Sequence, residues 1–369
     1  YFATPIPLWE CTKCGEVVIA REDDCYVDPT VDAPPVDKCP KCSGSLKGCE
    51  DVFDTWMDSS ISALYIAYWQ RDEERFKKLF PTSFRPQSHD IIRTWAFYTI
   101  LRSYLLEEEI PWKEIMIGGF ILAEDGSPMH ASRGNAVDPL QFLEKYGADA
   151  LRYFATQCPI GEDNAFRWRD VQHGNRFLQK FWNISRLIGR ETRAIDTIPE
   201  PPEDLRDVDR WILAEYQQCV KAAIDYMDQF RFDLAMKAVE GFMWHTLADH
   251  YLEMIKYRMG AGDRGLQYAL YTVGLGITKL IAPFLPHITE EVYHRYYRHI
   301  DGSRSIHLTQ WDEGMEVDEE ALRTGAVIRD TISAIRAWKA AKGIRLGATI
   351  RYAGIISPVE ELRTVLERG

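Results

Sequence analysis

The chain has 369 residues, 46% of them apolar, and a formal net charge of −12. That length suits two or three domains with real cores, and the composition sets aside disordered and fibrous classes. No run reaches the ~18 to 20 apolar residues of a membrane span, and the start has no basic, apolar leader, so neither a membrane anchor nor a secretory signal is expected.

The chain opens without Met in apolar, Pro-rich sequence, the expectation being a fragment of something larger or a processed chain. Six of its eight cysteines lie in the first 50 residues. Cys11 and Cys14 form one CxxC pair and Cys39 and Cys42 another, with 24 residues between the pairs. Each pair folds as a tight knuckle aiming two thiolates at one centre, and two knuckles complete the tetrahedral S₄ shell that zinc prefers. Gly15 and Gly44 follow the pairs, where a knuckle turn tolerates positive φ. Four ligands leave no open position, so a structural zinc ribbon is expected at about 8–50, with Cys25 and Cys49 as spare ligands. Ordinary buried thiols and a redox CxxC are the competing readings.

Residues 51–60 read as a short strand running into a polar loop, and 61–80 have helical spacing before Pro81. Residues 91–106 form a second amphipathic helix. The apolar run 112–122 has strand length and ends in the 124–126 turn, and 139–157 is helical again. Helix, buried strand, turn and helix in succession predict a parallel α/β sheet. Residues 171–195 are helical and rich in aromatic and basic residues, and a Pro-rich acidic stretch at 198–204 reads as a domain boundary. Residues 209–259 and 267–298 read as long helices broken at 260–265, an all-α bundle, with a kink or boundary at 283–286. Residues 318–342 look helical, 348–356 strand-like, and 358 onward helical.

An acidic total is unusual for a small dedicated nucleic-acid binder, but a local patch can supply phosphate contacts. Between 329 and 351 lie Arg329, Arg336, Lys339, Lys342, Arg345 and Arg351 against one acid, Asp330, with Trp338 among them. This is either a phosphate-contacting face or a solvated helix face. Asp54 and Asp58 flank Trp56, and Asp90 stands before a helix. Carboxylates beside an aromatic wall hold a cationic amine, whereas the plain alternatives are an N-cap for Asp90 and turn residues for Asp54 and Asp58. Gly118 and Gly119, followed by the turn from Gly126 to Asn135, allow a nucleotide to approach the backbone.

Five ordered segments together carry a resemblance: ATPIPLW at 3–9, DTWMDSS at 54–60, RPQSHDIIRTW at 85–95, DRWI at 209–212 and PFLPHITEE at 283–291. In these the chain resembles the valyl-tRNA synthetases, from the large-hydrophobic branch of class I aminoacyl-tRNA synthetases, and is closest to archaeal forms. The resemblance spans essentially all 369 residues. It implies α/β plus all-α architecture: the second half of a class I Rossmann-type nucleotide-binding domain with the zinc ribbon inserted, at 1–170. A helical stem at 171–197, an anticodon-binding bundle at 198–312 and a small truncated α/β segment at 313–369 follow. The family's HIGH-type motif is nowhere in the chain, nor is most of its editing domain.

The resemblance also implies roles. Trp56 and Ile91 wall a small aliphatic pocket and Asp90 takes the amino acid's ammonium. Such a pocket rejects a near-isostere by only ~1 to 3 kcal/mol, which is why the family edits. Gly118, Gly119 and Met129 lie at the ATP, and His130, Ser132 and Arg133 stand in the family's KMSKS loop. In that loop Pro128 and Ala131 occupy the two Lys positions, which normally stabilise the triphosphate electrostatically. Ser88 stands where the family usually has Gly. Cys11, Cys14, Cys39 and Cys42 hold Zn²⁺, ATP enters with Mg²⁺, and Arg231, Arg336, Trp338, Lys339 and Lys342 face tRNA(Val), with Trp211 and Trp244 as further candidates for the anticodon surface against the plainer reading of bundle aromatics as core.

The implied function is part of a cytoplasmic valine–tRNA ligase, monomeric at full length, whose fragment is inactive alone in amino-acid activation. The alternatives are a non-catalytic tRNA-binding relative that has lost the lysines, an isoleucyl or leucyl enzyme, and an unrelated zinc-ribbon RNA-binding scaffold.

Overall fold

The first fifty residues hold few large apolar side chains, and the chain there forms only short strands: β1 (Leu8–Cys11), β2 (Val17–Ile19) and β3 (Leu46–Gly48), in the antiparallel order β2-β1-β3. The computed structural model describes residues 3–130, 133–314, 316–350 and 354. The chain divides into two units, 1–120 and 121–369.

In the first unit the short strand expected at the start of 51–60 is reduced to a single bridge, Val52 to Pro5, and the polar loop expected after it is a helix, α1 (Thr55–Ser59). Asp54 starts it by accepting the Trp56 N–H at 2.7 Å, an N-cap that satisfies one of the free donors of the first turn. The expected helix over 61–80 is interrupted. α2 (Ser62–Ile66) ends before left-handed Tyr68 and Gln70, and α3 (Glu73–Leu79) restarts behind the Asp72 cap. β4 (Thr82–Ser88) is a strand that the sequence did not suggest. It pairs in parallel with β5 (Trp112–Gly118), in the register Thr82↔Trp112 to Ser88↔Gly118. Among the described residues β4 pairs with β5 alone, and Pro86 sits where a strand can dispense with an N–H on its unpaired side. Between the strands a short turn (89–91), a wide helical turn (92–96) and α4 (Phe97–Glu107) make the crossover, and the parallel pair fulfils the α/β expectation.

The second unit opens with β6 (Ile121–Leu122), which pairs in parallel with β7 (Asn164–Ala165). The expected helix at 139–157 is two helices, α5 (Pro139–Tyr146) and α6 (Ala148–Thr156), parted by Gly147 at φ +77°. Phe142, Phe154, Phe166 and Val171 make a small core beneath them. The long α7 (Trp168–Glu191) leads through the 198–204 stretch into α8 (Asp207–Asp228) and α9 (Phe232–Gly241). The helix continues through 242–251 into α10 (Leu252–Met254), followed by α11 (Arg264–Ile281), α12 (Pro286–Tyr296), α13 (Arg298–Asp301) and α14 (Glu319–Ala341). The expected strand at 348–356 and the helix beyond it lie mostly outside the described residues.

α7 to α12 bury one large core that includes Phe177, Trp211, Tyr216, Tyr251, Leu270 and Tyr293. The recurrent segments of the bundle have structural work. Asp209, wholly buried, accepts both guanidinium N–H groups of Arg258 at 2.9 and 2.7 Å and the Tyr251 hydroxyl at 2.7 Å. Arg258 also grips Asp263 at 2.9 Å, so the buried charges are paired on every side. At the 283–286 bend, Arg152 donates to the carbonyls of Phe284 (2.7 Å) and Pro283 (3.0 Å), and Asp149 caps α12 from α6 through the Ile288 N–H at 2.7 Å. No helix of the described residues is long and apolar enough to cross a membrane.

Candidate functional site

The four knuckle cysteines converge: their sulfurs all lie within 4.8 Å of one another. Cys11 and Cys42 Sγ are 3.5 Å apart, and Cys14 and Cys39 Sγ 3.6 Å. A tetrahedral tetrathiolate site with metal–sulfur bonds of about 2.3 Å has sulfur–sulfur edges of about 3.8 Å, so the donor set fits. The backbone N–H groups of Lys13 and Lys41 each donate to a sulfur at 3.4 Å, Cys11 and Cys39 in turn, the donors a thiolate shell draws on. The Lys13 N–H pulls the Cys11 thiol down to about 6, while the hydrogen bond with Cys14 pushes Cys42 up to about 12. Crowded thiols share protons in this way until a cation allows all four to ionise.

The knuckle glycines differ. Gly15 has φ +71°, as the turn requires, but in the second knuckle the left-handed residue is Ser43. Gly44 is needed for space instead, since a Cβ there would lie 3.0 Å from Cys11 Sγ and 3.2 Å from Cys42 Sγ. Cys25 and Cys49 stand outside the cluster.

The amino-acid candidates gather at the carboxyl ends of two parallel strands, where open α/β sheets bind ligands. β4 ends at Ser88, two residues before Asp90 and three before Ile91, and its register partner is Gly118 at the end of β5. Asp90 is exposed and caps no helix. Among the described residues it has no hydrogen-bond or ion-pair partner, so its carboxylate is available. Asp54 does take the plain role, as the cap of α1, and Asp58 accepts the Thr4 N–H at 3.3 Å. α1, which carries the partly exposed Trp56, is tied to the 92–96 turn by the Trp95 indole N–H donating to Ser59 O at 3.1 Å. A Cβ at Gly118 would meet only Gln87 O at 3.7 Å, so packing does not demand glycine there.

Beneath these strands Arg85 is buried, its guanidinium 3.4 Å from the Trp95 ring centroid and 5.3 Å from that of Trp112. Burial pushes its pKa down. Sequence reasoning placed RPQSHDIIRTW by resemblance but did not see that its Arg and Trp stack on each other.

The second unit carries the 123–135 loop. Asn135 staples it: its Oδ1 accepts the His130 N–H at 2.8 Å, and its Nδ2 donates to Ser127 Oγ and Pro128 O, both at 3.0 Å. Asp125 Oδ1 accepts from Ser127 N and Oγ at 2.9 and 2.7 Å. His130 and Arg133 are exposed, and Met129 packs against the Phe142–Phe166 core. Ser132 lies outside the described residues. Asn135 is a positioning residue that the sequence reading passed over, although it closes the SRGN segment.

The basic candidates fare unequally. Trp338 is half exposed and Lys342 is exposed. Arg336 donates to Asp249 O at 2.8 Å, and Arg231 is clasped by Asp233 at 2.9 and 2.7 Å. Lys339 is buried, its ammonium donating to the Leu346 and Ala348 carbonyls at 2.8 and 2.6 Å, which fold back over the end of α14. Trp244 is half-buried, stacked on His173 and under Lys180. Trp211 is not a surface aromatic. It is wholly buried, with α14 so close that a Cβ at Gly325 would lie 2.0 Å from its ring.

Residues 1–167 match the family described as tRNA synthetases class I (I, L, M and V), and residues 209–353 the anticodon-binding domain of tRNA ligase. The chain belongs to the class I tRNA synthetases of that group. The valine–tRNA ligase of Pyrococcus furiosus is 43% identical over 381 aligned positions covering 100% of this chain and 43% of that protein. That of Archaeoglobus fulgidus is 43% identical over 98% of this chain and 41% of its own length, and that of Methanothermobacter thermautotrophicus 42% over 99% and 41%. The chain thus spans about two fifths of the length of the curated relatives it matches. A crystal structure of Agrobacterium radiobacter LeuRS, in ternary complex with tRNA and LeuAMS, superposes with TM-score 0.66 at 20% identity, covering 87% of this chain and 42% of that one. It has the same fold.

Proposed function

We propose that this chain is part of a valine–tRNA ligase, a cytoplasmic enzyme, monomeric at full length, that joins valine to its tRNA at the expense of ATP. The observation that carries this reading is the identity of about two residues in five, over the whole chain, with archaeal valine–tRNA ligases. The domain assignment follows it: 1–170 as the second half of the Rossmann-type catalytic domain, 171–197 as stem, 198–312 as anticodon-binding bundle and 313–369 as a small α/β segment.

The chemistry has two steps. A valine carboxylate oxygen attacks the α-phosphorus of ATP and pyrophosphate leaves. A ribose hydroxyl at the tRNA end then attacks the carbonyl carbon of valyl-adenylate and AMP leaves. Asp90, unpaired at the strand ends, holds the valine ammonium. Trp56 and Ile91 wall the isopropyl group, and Gly118 and Gly119 let the adenosine approach the backbone. Met129, His130, Ser132 and Arg133 belong to the loop that faces the triphosphate, which enters with Mg²⁺. With Pro128 and Ala131 at the lysine positions, His130 and Arg133 are the cationic candidates left to offset charge on the departing pyrophosphate. The four cysteines hold a structural Zn²⁺ that closes the ribbon and takes no part in either step. Trp338 and Lys342, exposed at the end of α14, and the half-buried Arg336 offer a basic and aromatic face to tRNA(Val), with Lys339 buried beneath it and Arg231 a separate candidate at the start of α9. The chain by itself does not activate valine.

The test is valine-dependent ATP–pyrophosphate exchange by the full-length protein. Asp90→Asn removes a charge-assisted bond of ~1.5 to 3 kcal/mol, so the specificity for valine falls about 10- to 100-fold. Unchanged exchange, or exchange supported better by isoleucine or leucine, contradicts the assignment.

A further inference from the structure

α7 and α12 approach so closely that a Cβ at Gly189 would lie 2.2 Å from Cδ1 of Tyr296. That contact fixes a groove of about 730 Å³ whose floor is Gly189 and Tyr296. Its walls carry Arg186, Arg190 and Arg193 from α7 and just beyond it, facing Arg295 and His299. No acidic residue lines it, on a protein with net charge −12.

The plain account of such arginines is that they offset the negative ends of helix dipoles. It covers Arg190 and Arg295, each in the last turn of its helix, and both have carboxylate partners, Glu191 and Glu291. It leaves out Arg186, which precedes the last turn of α7, and Arg193, which lies past its C-cap at Thr192. Both are exposed, and neither has an ion pair or hydrogen bond among the described residues. Glu191 offsets Arg190 at 3.2 Å, and its second oxygen accepts the Gly260 N–H at 2.8 Å, so the charge left over in the groove is that of Arg186 and Arg193. Arg186 and Arg190 stand one helical turn apart on α7, and Arg193, just past its end, lines the same groove. A concave row of guanidinium groups over a tyrosine ring is the chemistry that holds a phosphodiester backbone and a neighbouring base.

We propose that this groove is a second RNA-contacting seat, separate from the Trp338 and Lys342 face, that grips the phosphate backbone of the bound tRNA. The proposal rests on the reading of the chain as part of a tRNA ligase. Arg186 and Arg193 supply the unspent charge, Arg190 and Arg295 complete the clamp, and Tyr296 gives it an apolar floor.

The experiment is tRNA(Val) binding to the full-length protein across a salt series, comparing Arg186→Gln/Arg193→Gln with Arg186→Lys/Arg193→Lys. Each lost phosphate contact lowers the salt slope by about 0.7 to 0.9, so the Gln pair loses between one and two units of slope. Its Kd rises about tenfold at low salt while the Lys pair stays near the parent, the thermal midpoints of all three agreeing. A Gln pair that binds with the parental Kd and slope overturns the seat alone. Tight binding of the parent to tRNA(Val), lost equally in the Gln and Lys pairs, overturns it too, since charge is then not what the groove supplies. A parent protein that binds no tRNA overturns both the seat and the functional reading.

Discussion

The two units solve the problem of stability differently. The bundle buries a set of large side chains completely, with Trp211, Tyr216, Tyr251, Tyr293 and Phe177 all at 1% exposure or less, around one continuous core. The first unit leaves Leu105 at 71% and Tyr104 at 59%, and its sheets have three short strands and two strands. Apolar burial at ~25 cal/mol per Å² therefore sustains the bundle, whereas the ribbon depends on its four thiols. A core built from long-range packing is sensitive to single atoms, and a ribbon whose four thiols hold the proposed ion would be sensitive to its removal.

The sharpest break between them is metal removal. Chelation at neutral pH is expected to unfold residues 8–50 while leaving the bundle intact, because binding free energy in such small sites is folding free energy. Hydrogen exchange that rises only in the first unit is the result to look for, and uniform protection would contradict it. Asp209→Ala comes next. It leaves the buried Arg258 guanidinium with Asp263 as its remaining carboxylate partner and the Tyr251 hydroxyl without its acceptor, a loss of about 3 to 5 kcal/mol, read from denaturant unfolding of the bundle. Gly325→Ala drives a methyl into the Trp211 ring and costs about 1 to 3 kcal/mol in the same measurement.

The smallest effect is on the acid limb. Hydrogen bonds and charge from Arg258 hold the Asp263 carboxyl below the usual range. A depressed carboxylate contributes stability that is present above its unfolded-state pKa and is lost as pH falls through the folded one. Asp263→Asn therefore flattens the bundle's loss of stability below about pH 4, and an unaltered acid limb would count against the Arg258 network.

The cysteine cluster and the helical bundle were legible in the sequence because both are written locally, in CxxC spacing and in long apolar periodicity. The β4 strand was not, since RPQS carries a proline and no alternation, and only its pairing with β5 defines it. Helix α1 hid behind the reading of Asp54 as a turn residue, although an aspartate two residues before a donor N–H is a cap. The basic row of α14 was read correctly as a sequence feature, but spacing cannot reveal that residues 346 and 348 fold over Lys339. Nor can it show that Gly189 and Gly325 are contact points between distant helices. Asp90 was singled out as an ammonium holder or an N-cap, and the resemblance gave it the first role; the structure adds that among the described residues it caps no helix and has no partner at the sheet's carboxyl edge.

The most direct test of the central reading is to pass total tRNA over the chain at moderate salt and identify what it retains. Enrichment of valine acceptors over isoleucine and leucine acceptors is the predicted result. Retention of a different acceptor, or of none, would contradict the assignment of this chain to a valine–tRNA ligase.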